Sequence, residues 1–237
     1  MASGIPIERC PTGIPGFDKL CQGGFVRNSV NAVIGGPGSG KSTFLLNFLW
    51  GGLQKEENGL YVSFEPDLLD VSLDCYAHGW NFPKYEQQGK CRFMRLSPQT
   101  QEREIEKQLM EVISKYSIKR VCIDPISSLA MNIEKESDIR AIIYNLCSLL
   151  KRMKVTVLLS DEVHGESAID IGSGEKFSRY GVVEFLSDGL ITMHSMGIGG
   201  AADRAIRIVK MRRTNHLRGP VPMKITDNGV VVMPEEA

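Results

Sequence analysis

The chain has 237 residues, enough to bury a sizeable core within one α/β domain. Its 28 Lys and Arg residues balance 28 Asp and Glu residues, and this neutrality disfavours strong charge-driven binding of nucleic acid. It contains no apolar run of about 18 residues and no secretory signal pattern. We therefore expect a cytoplasmic protein without membrane association, whose six cysteines, none in a CxxC pair, are buried thiols.

Strand and helix patterns alternate along most of the chain. A Gly- and Pro-rich lead-in covers residues 1–28, and a polar, Gly-containing loop is expected over 161–178. Short apolar runs predict five strands, at Ser29–Ile34, Leu60–Phe64, Cys91–Leu96, Arg120–Asp124 and Val155–Ser160. Helical spacing predicts four helices, at Lys41–Leu53, Asp67–Ala77, Gln99–Tyr116 and Asp138–Met153, the last with Ser137 as its N-cap.

From about residue 188 the pattern is β, in the runs GLITMH, RAIRIVKM, VPMKI and GVVVM. Strands that alternate with helices predict a mostly parallel central sheet flanked by helices, here with a C-terminal β extension. Because no linker or repeat is visible, we expect a single domain over residues 1–237.

The segment GGPGSGKS at residues 35–42 matches the phosphate-binding pattern G-x-x-x-x-G-K-S. Small residues let backbone N–H groups surround phosphate oxygens, and the following helix points its positive end at the same anion. Lys41 would reach the β and γ phosphates, and the Ser42 hydroxyl would ligate Mg²⁺. The segment follows an apolar strand and precedes a helix, so it predicts a site for ATP and Mg²⁺.

Two carboxylates are candidates for the remaining chemistry of a phosphate site. Asp124 ends the strand RVCID, where a second Mg²⁺ anchor belongs; the alternative is that it caps the following segment. Pro125 takes the place where many P-loop ATPases carry a water-activating Glu. Glu65, at the end of LYVSFE, could position the attacking water; the alternative is an exposed strand-end Glu.

The segment RIVKMRRTNHLR, residues 207–218, concentrates cations without a carboxylate. Residues two apart share a face of a strand, so Lys210 and Arg212 are expected on one face, with Arg207 and Arg213 on the other. Such a pair suits the charge of a transferring phosphoryl group, and it would serve the nucleotide of a neighbouring copy. A solvated charged strand and a DNA-binding strip are the alternatives.

Eight motifs occur in one order: TGIPGFDKL, GGPGSGKS, YVSFE, HGW, RVCID, SRYGVVEFLSDG, KMRRTNH and ITDNG. In this combination, over about residues 10–233, the chain resembles a single KaiC domain of the RecA-like ATPase superfamily. The resemblance implies a RecA-like P-loop fold and a homo-oligomeric ring, commonly a hexamer, with ATP bound between subunits.

The resemblance also implies the residues of the site. The phosphates and Mg²⁺ would be held in one subunit by Gly36, Pro37, Gly38, Ser39, Gly40, Lys41, Ser42 and Thr43. The next subunit would reach the same nucleotide with Lys210, Met211, Arg212, Thr214 and His216. Thr226 and Asp227 of ITDNG match positions near the nucleotide.

The sequence departs from the family pattern at two places. The family carries two adjacent glutamates after YVSF, whereas this chain has Glu65 and Pro66, which points to slow ATPase activity. The kinase half of the clock protein has a phosphorylated Ser-Thr pair where this chain has Val183 and Glu184, so autophosphorylation of that type is not expected, although the hydroxyls of Ser173 and Ser178 could accept phosphate.

The resulting hypothesis is a Mg²⁺-dependent ATPase ring that regulates a protein partner. One alternative is a recombinase-like DNA repair accessory protein that uses the basic strand or the 161–178 loop. Another is a nucleotide-binding switch with little turnover.

Overall fold

The computed structural model describes residues 6–64, 68–131, 133, 135–163, 177–195 and 203–234. One nine-stranded sheet runs through them in the order β11-β10-β9-β8-β3-β7-β6-β4-β5. Its strands are β3 Val30–Gly35, β4 Gly59–Ser63, β5 Cys91–Arg95, β6 Arg120–Asp124, β7 Thr156–Glu162, β8 Gly189–Ser195, β9 Arg204–Met211, β10 Pro220–Thr226 and β11 Gly229–Val232.

The six strands from β3 to β8 pair in parallel, and β9, β10 and β11 continue the sheet antiparallel from β8. This arrangement confirms the predicted parallel sheet with a C-terminal β extension. In the lead-in, β1 (Arg9–Cys10) and β2 (Phe25–Val26) form a separate two-stranded sheet.

The helices pack on both faces of the large sheet. They are α1 Phe17–Leu20, α2 Lys41–Leu53, α3 Leu68–Ala77, α4 Phe82–Gln87, α5 Glu102–Lys115, α6 Glu136–Arg152 and α7 Val183–Leu186, with a 3-10 helix at Ile126–Ala130. The predicted Ser137 cap is wrong, because α6 begins at Glu136 with Lys135 at its N-cap, and Ser137 lies in the first turn. No helix in the described part of the chain has the length and hydropathy needed to cross a membrane.

Two cores result from the alternation of side chains along the buried strands. On one face, Val33 and Leu158 pack with the apolar residues of α1, α2 and α3. On the other face, Ala32 and Ile34 pack with α5 and α6. The phosphate-loop helix α2 is therefore fixed against the centre of the sheet.

The predicted 161–178 loop begins later than expected. Strand β7 continues to Glu162, Val163 forms a β-bridge with Ser178, and Arg179 pairs with Glu162 at 2.9 Å. The intervening residues 164–176 lie outside the described residues, and so does the proposed DNA contact there.

A buried arginine ties the lead-in to the sheet. Arg120, in β6, is 1% exposed, and its guanidinium lies 2.6 Å from Glu57. It also donates to the carbonyls of Pro11 and Phe48, each at 2.9 Å. Burial raises the pKa of Glu57, but Arg120 and Arg27 lower it by more, so the net shift is downward.

We predict that Arg120→Met lowers the free energy of unfolding by about 3–5 kcal/mol, because it leaves buried carbonyls and Glu57 without their partner. Urea denaturation measures the change, with Arg103→Met, at an exposed position of α5, as the control. The pair contributes above the ordinary pKa of a glutamate, so the difference between wild type and variant should shrink as the pH falls through the lowered Glu57 pKa. An equal loss in both variants would contradict the assignment.

Candidate functional site

The phosphate loop connects the end of β3 to the start of α2. Gly38 and Gly40 have left-handed φ values of 70° and 94°, which glycine adopts without cost. A Cβ on Gly40 would lie 2.7 Å from Ile225 Cδ1, so the end of the Ile225 side chain would have to shift. Ser39 is buried, and its hydroxyl has no hydrogen-bond partner among the described residues.

Lys41 lies across the mouth of this loop. Its ammonium group donates to the carbonyls of Gly35 at 2.8 Å and Gly36 at 3.0 Å. Burial lowers its pKa, while Asp124, Glu162 and Asp161 act in the opposite direction. Together with the unpartnered Ser39 hydroxyl, a cation held by two carbonyls fits a site built for an anion. The other residues predicted to contact the phosphates lie nearby. Pro37 is in the same loop, and Ser42 and Thr43 are in the first turn of α2.

Asp124 lies at the end of β6, two strands from the phosphate loop. Its carboxylate accepts hydrogen bonds from Tyr61 at 2.5 Å and from Ser160. The alternative role as a cap is not seen, because Pro125 occupies the N-cap of the following 3-10 helix and no side-chain cap bond forms. A carboxylate fixed by two hydroxyls and close enough to influence Lys41 suits a Mg²⁺ anchor.

Two further acids at this edge were missed by the sequence interpretation. Asp161 and Glu162 end β7, in register with Ile34 and Gly35 of the strand that leads into the phosphate loop. Asp161 is 1% exposed, and burial raises its pKa to about 7. The signal is present in the sequence, since both acids follow an apolar strand as Asp124 does, but the polar composition after Ser160 predicts a loop from residue 161.

Glu65 lies outside the described residues. Strand β4 ends two residues earlier at Ser63, which is in register with Asp124. Its role in positioning water therefore stays a prediction. Glu184, also singled out from the sequence, is buried and accepts hydrogen bonds from the hydroxyl of Ser178 and the backbone N–H of Phe177.

The basic strand differs from its predicted geometry because β9 contains a β-bulge. Ile208 pairs with Ile191 and Lys210 pairs with Leu190, which leaves Val209 as the extra residue. The bulge turns Lys210 to the face that carries Arg207, so the prediction that these two lie on opposite faces is wrong. Arg212 lies just beyond the end of β9.

Lys210 and Arg212 nevertheless converge on one point, the turn before β8. Lys210 Nζ donates to the Ser187 carbonyl at 2.8 Å, and the Arg212 backbone N–H donates to the Asp188 carbonyl at 2.9 Å. The buried Asp188 carboxylate accepts from the Val30 N–H at 3.0 Å, pairs with Lys151 at 2.8 Å and lies 4.0 Å from Arg212. Asp188, also missed from the sequence, thus binds the Arg212 backbone and lies beside its guanidinium, which is 60% exposed.

The other predicted residues of this segment differ in which of their groups can contact a ligand. Met211 is 5% exposed and packs in the core, which leaves only its backbone for a ligand. The Thr214 hydroxyl accepts from Arg9 at 2.7 Å and donates to the Arg212 carbonyl at 3.2 Å. His216 lines a groove of about 420 Å³ together with Arg207, Lys210, Arg212 and Arg218.

The phosphate loop and the basic groove lie at opposite edges of the sheet. Gly35 ends β3, whereas Lys210 is paired with Leu190 near the start of β8, a strand parallel to β3. Strand β3 has six residues, Val30–Gly35, and therefore separates the two edges by about 17 Å. The chain therefore does not bring Lys210 and Arg212 to its own phosphate loop.

Thr226 and Asp227 belong to the phosphate-loop edge. The preceding residue, Ile225, lies against Gly40. The Thr226 hydroxyl donates to the Gly229 carbonyl at 3.0 Å and shapes the β10–β11 turn, while Asp227 is exposed.

A cavity of about 400 Å³ adjoins this turn, between α2 and the HGW segment. Asn47, Trp50, His78, Trp80 and Asn228 contribute to its lining. The Nδ1 atom of His78 is buried and has no hydrogen-bond partner among the described residues. Aromatic faces and amide groups in this arrangement can stack on and hydrogen-bond to a heterocyclic base.

Comparison with known proteins agrees with this geometry. Residues 10–237 match the family model described as "ATPase: KaiC". The chain is 30% identical over 240 residues to the circadian clock oscillator protein KaiC of Parasynechococcus marenigrum, matching 97% of this chain and 46% of that protein. The chain thus spans about half the length of the clock proteins it matches.

Two single-length relatives match from end to end. A UPF0273 protein of Thermotoga maritima is 31% identical, with 97% of this chain and 98% of that protein covered. The crystal structure of a KaiC-like protein from the archaeon Pyrococcus horikoshii OT3 superposes with a TM-score of 0.84 at 33% identity, covering 97% of this chain and 100% of that one. The predicted RecA-like α/β fold is confirmed.

We predict that Tyr61→Phe lowers the free energy of unfolding by about 1–3 kcal/mol, because the Asp124 carboxylate loses a buried hydroxyl donor. Thermal or urea unfolding measures this change. Tyr144→Phe, at a residue 57% exposed, is the matched control and should leave stability unchanged. Equal stability of Tyr61→Phe and wild type would show that the hydroxyl does not hold Asp124.

Proposed function

The chain belongs to the KaiC family of ATPases, and on that premise we propose that it hydrolyses ATP at sites completed by a neighbouring copy of itself. One copy supplies the phosphate loop and the acids at its edge of the sheet. The next copy supplies Lys210 and Arg212. Such head-to-tail contacts, repeated, close into a ring, for which we propose a hexamer of copies that each form a single domain over residues 1–237.

The observation that carries this proposal is the separation of the two cationic groups. Lys41 lies at one edge of the sheet, and Lys210 and Arg212 lie at the other. A phosphoryl group in transfer needs positive charge on more than one side, and cations at a strand end about 17 Å away cannot supply it within one chain. A head-to-tail neighbour presents the second edge to the first.

Each site residue has a distinct role in the proposed reaction. We propose that the backbone of the phosphate loop and Lys41 bind the phosphates, and that Asp227 and the adjoining cavity receive the rest of the nucleotide. Mg²⁺, held by Ser42 and Asp124, would neutralise phosphate charge when bound. Glu65 would orient the attacking water, and Lys210 and Arg212 would stabilise the charge that develops in the transition state.

Asp188 gives the proposal a second support. Arg212 is exposed on a turn, and an unconstrained arginine there would sample many rotamers. The nearby Asp188 carboxylate, itself fixed by Lys151 and the Val30 N–H, limits that freedom before the neighbour arrives. Preorganised charge of this kind is what transition-state stabilisation requires.

We further propose a regulatory role in the cytoplasm, in which the nucleotide state of the ring is read by a protein partner. All six cysteines are free and buried, in keeping with a reducing compartment.

DNA binding is the second candidate, and the basic groove favours it. Arg207, Lys210, Arg212 and Arg218 line one open groove and could follow a phosphate backbone. In that case affinity for DNA would fall steeply with added salt, and Arg218→Ala would reduce the salt dependence. If the protein binds DNA in this way but hydrolyses ATP only as a monomer, DNA binding would replace the ring as the proposed function.

We predict that Arg212→Ala assembles with ATP and Mg²⁺ as the wild type does but releases phosphate about 10³-fold more slowly, because a transition-state cation is lost. Lys41→Ala should lose nucleotide binding itself. Light scattering on a sizing column gives the mass, and phosphate release is recorded on the same samples. Arg103→Ala, at an exposed position of α5, is the control.

Wild-type turnover by Arg212→Ala would refute its role in the site. A wild type that stays monomeric with ATP would refute the ring. A wild type that assembles and binds ATP without releasing phosphate would instead identify a nucleotide-binding switch.

A further inference from the structure

Helix α3 carries an exposed apolar stripe. It buries Val71 and Cys75 against the sheet, while Leu69, Leu73 and Tyr76 are 70%, 66% and 61% exposed. Their spacing of four and three residues places them on one side of the helix. Contiguous large apolar side chains of this kind mark a surface that another molecule covers.

The stripe lies in an acidic setting. Asp70 and Asp74 are exposed one turn apart on the same helix, and α3 contains no Lys or Arg. Neither carboxylate forms an ion pair within the part of the chain that the structure describes. Any partner for this face should therefore combine cations with an apolar group.

The segment after β9, residues 212–218, has that combination. Arg213 and Arg218 are exposed, and neither pairs with an acid among the described residues. Between them Leu217 is 46% exposed. The segment is anchored on the lead-in, through the Leu217 N–H to the Leu20 carbonyl at 2.8 Å and the Asn215 N–H to Gln22 at 3.0 Å.

The two surfaces lie where head-to-tail contact would bring them together. Helix α3 follows β4, whose end is in register with Asp124 at the phosphate-loop edge. The 212–218 segment follows Met211, at the opposite edge. Both belong to the side of the sheet covered by α1, α2 and α3. Helix α3 packs in the core cluster that contains Phe17 and Leu20, and the 212–218 segment is hydrogen-bonded to Leu20 through Leu217.

We propose that the acidic, apolar face of α3 in one copy docks on the basic 212–218 segment of the next copy. Leu73 and Tyr76 meet Leu217, and Asp70 and Asp74 meet Arg213 and Arg218. This docking rests on the head-to-tail assembly proposed above and names the surface that holds it. It also keeps Arg212 of the second copy beside the nucleotide of the first.

Charge reversal in two complementary variants tests the docking. One variant carries Asp70→Lys with Asp74→Lys, and the other carries Arg213→Glu with Arg218→Glu. Each variant alone presents like charges across every contact, so with ATP and Mg²⁺ each should have the mass of a monomer by light scattering. An equimolar mixture has opposite charges at every alternating contact and should regain the wild-type mass.

Glu104→Lys with Glu111→Lys, on the exposed side of α5, is the matched control and should assemble normally. Circular dichroism of each variant confirms folding, which exposed substitutions should preserve. Normal assembly of either variant alone would overturn the docking, and so would a mixture that stays monomeric. If the wild type fails to assemble with ATP, both the proposed ring and the proposed docking are wrong. If the wild type assembles but the variants do not give the expected masses, the ring proposal is retained and only the docking surface is wrong.

Discussion

The shared direction of the parallel strands is the constraint on which the rest of the molecule depends. Because β3, β6 and β7 run the same way, the residues that end them meet at one edge of the sheet. That edge collects the phosphate loop, Asp124 and the acids Asp161 and Glu162. Helix α2, packed against the centre of the sheet, then points its N-terminus at the place where these groups converge.

The antiparallel extension has the opposite consequence. Because β9 returns beside β8, its cationic end arrives at the edge where β3 and β8 begin. Asp188 joins that edge to the body of the protein, since it binds the Val30 N–H, Lys151 and Arg212 together. On the proposed function, the chain carries half of a phosphoryl-transfer site at each edge, and a second copy in head-to-tail order completes it.

Much of this could be predicted from the sequence, because its strongest signals are local. The bounds of α2 and β6 follow from the glycine loop and from a short apolar run ending in an acid. The face of Lys210 could not be predicted, because the bulge at Val209 depends on how β9 pairs with β8. Asp188 was missed for a similar reason, since its partners come from α6, β3 and the end of β9, which are distant in sequence.

The central claim is that each site is shared between two copies, and mixing two inactive variants tests it most directly. Lys41→Ala lacks a working phosphate loop but keeps Arg212, whereas Arg212→Ala has the reverse defect. If sites form between copies, an equimolar mixture should recover about a quarter of the wild-type phosphate release. With random mixing of the two variants in a ring, about one contact in four joins an intact phosphate loop to an intact Arg212. A mixture that assembles but remains as inactive as its components would contradict the account.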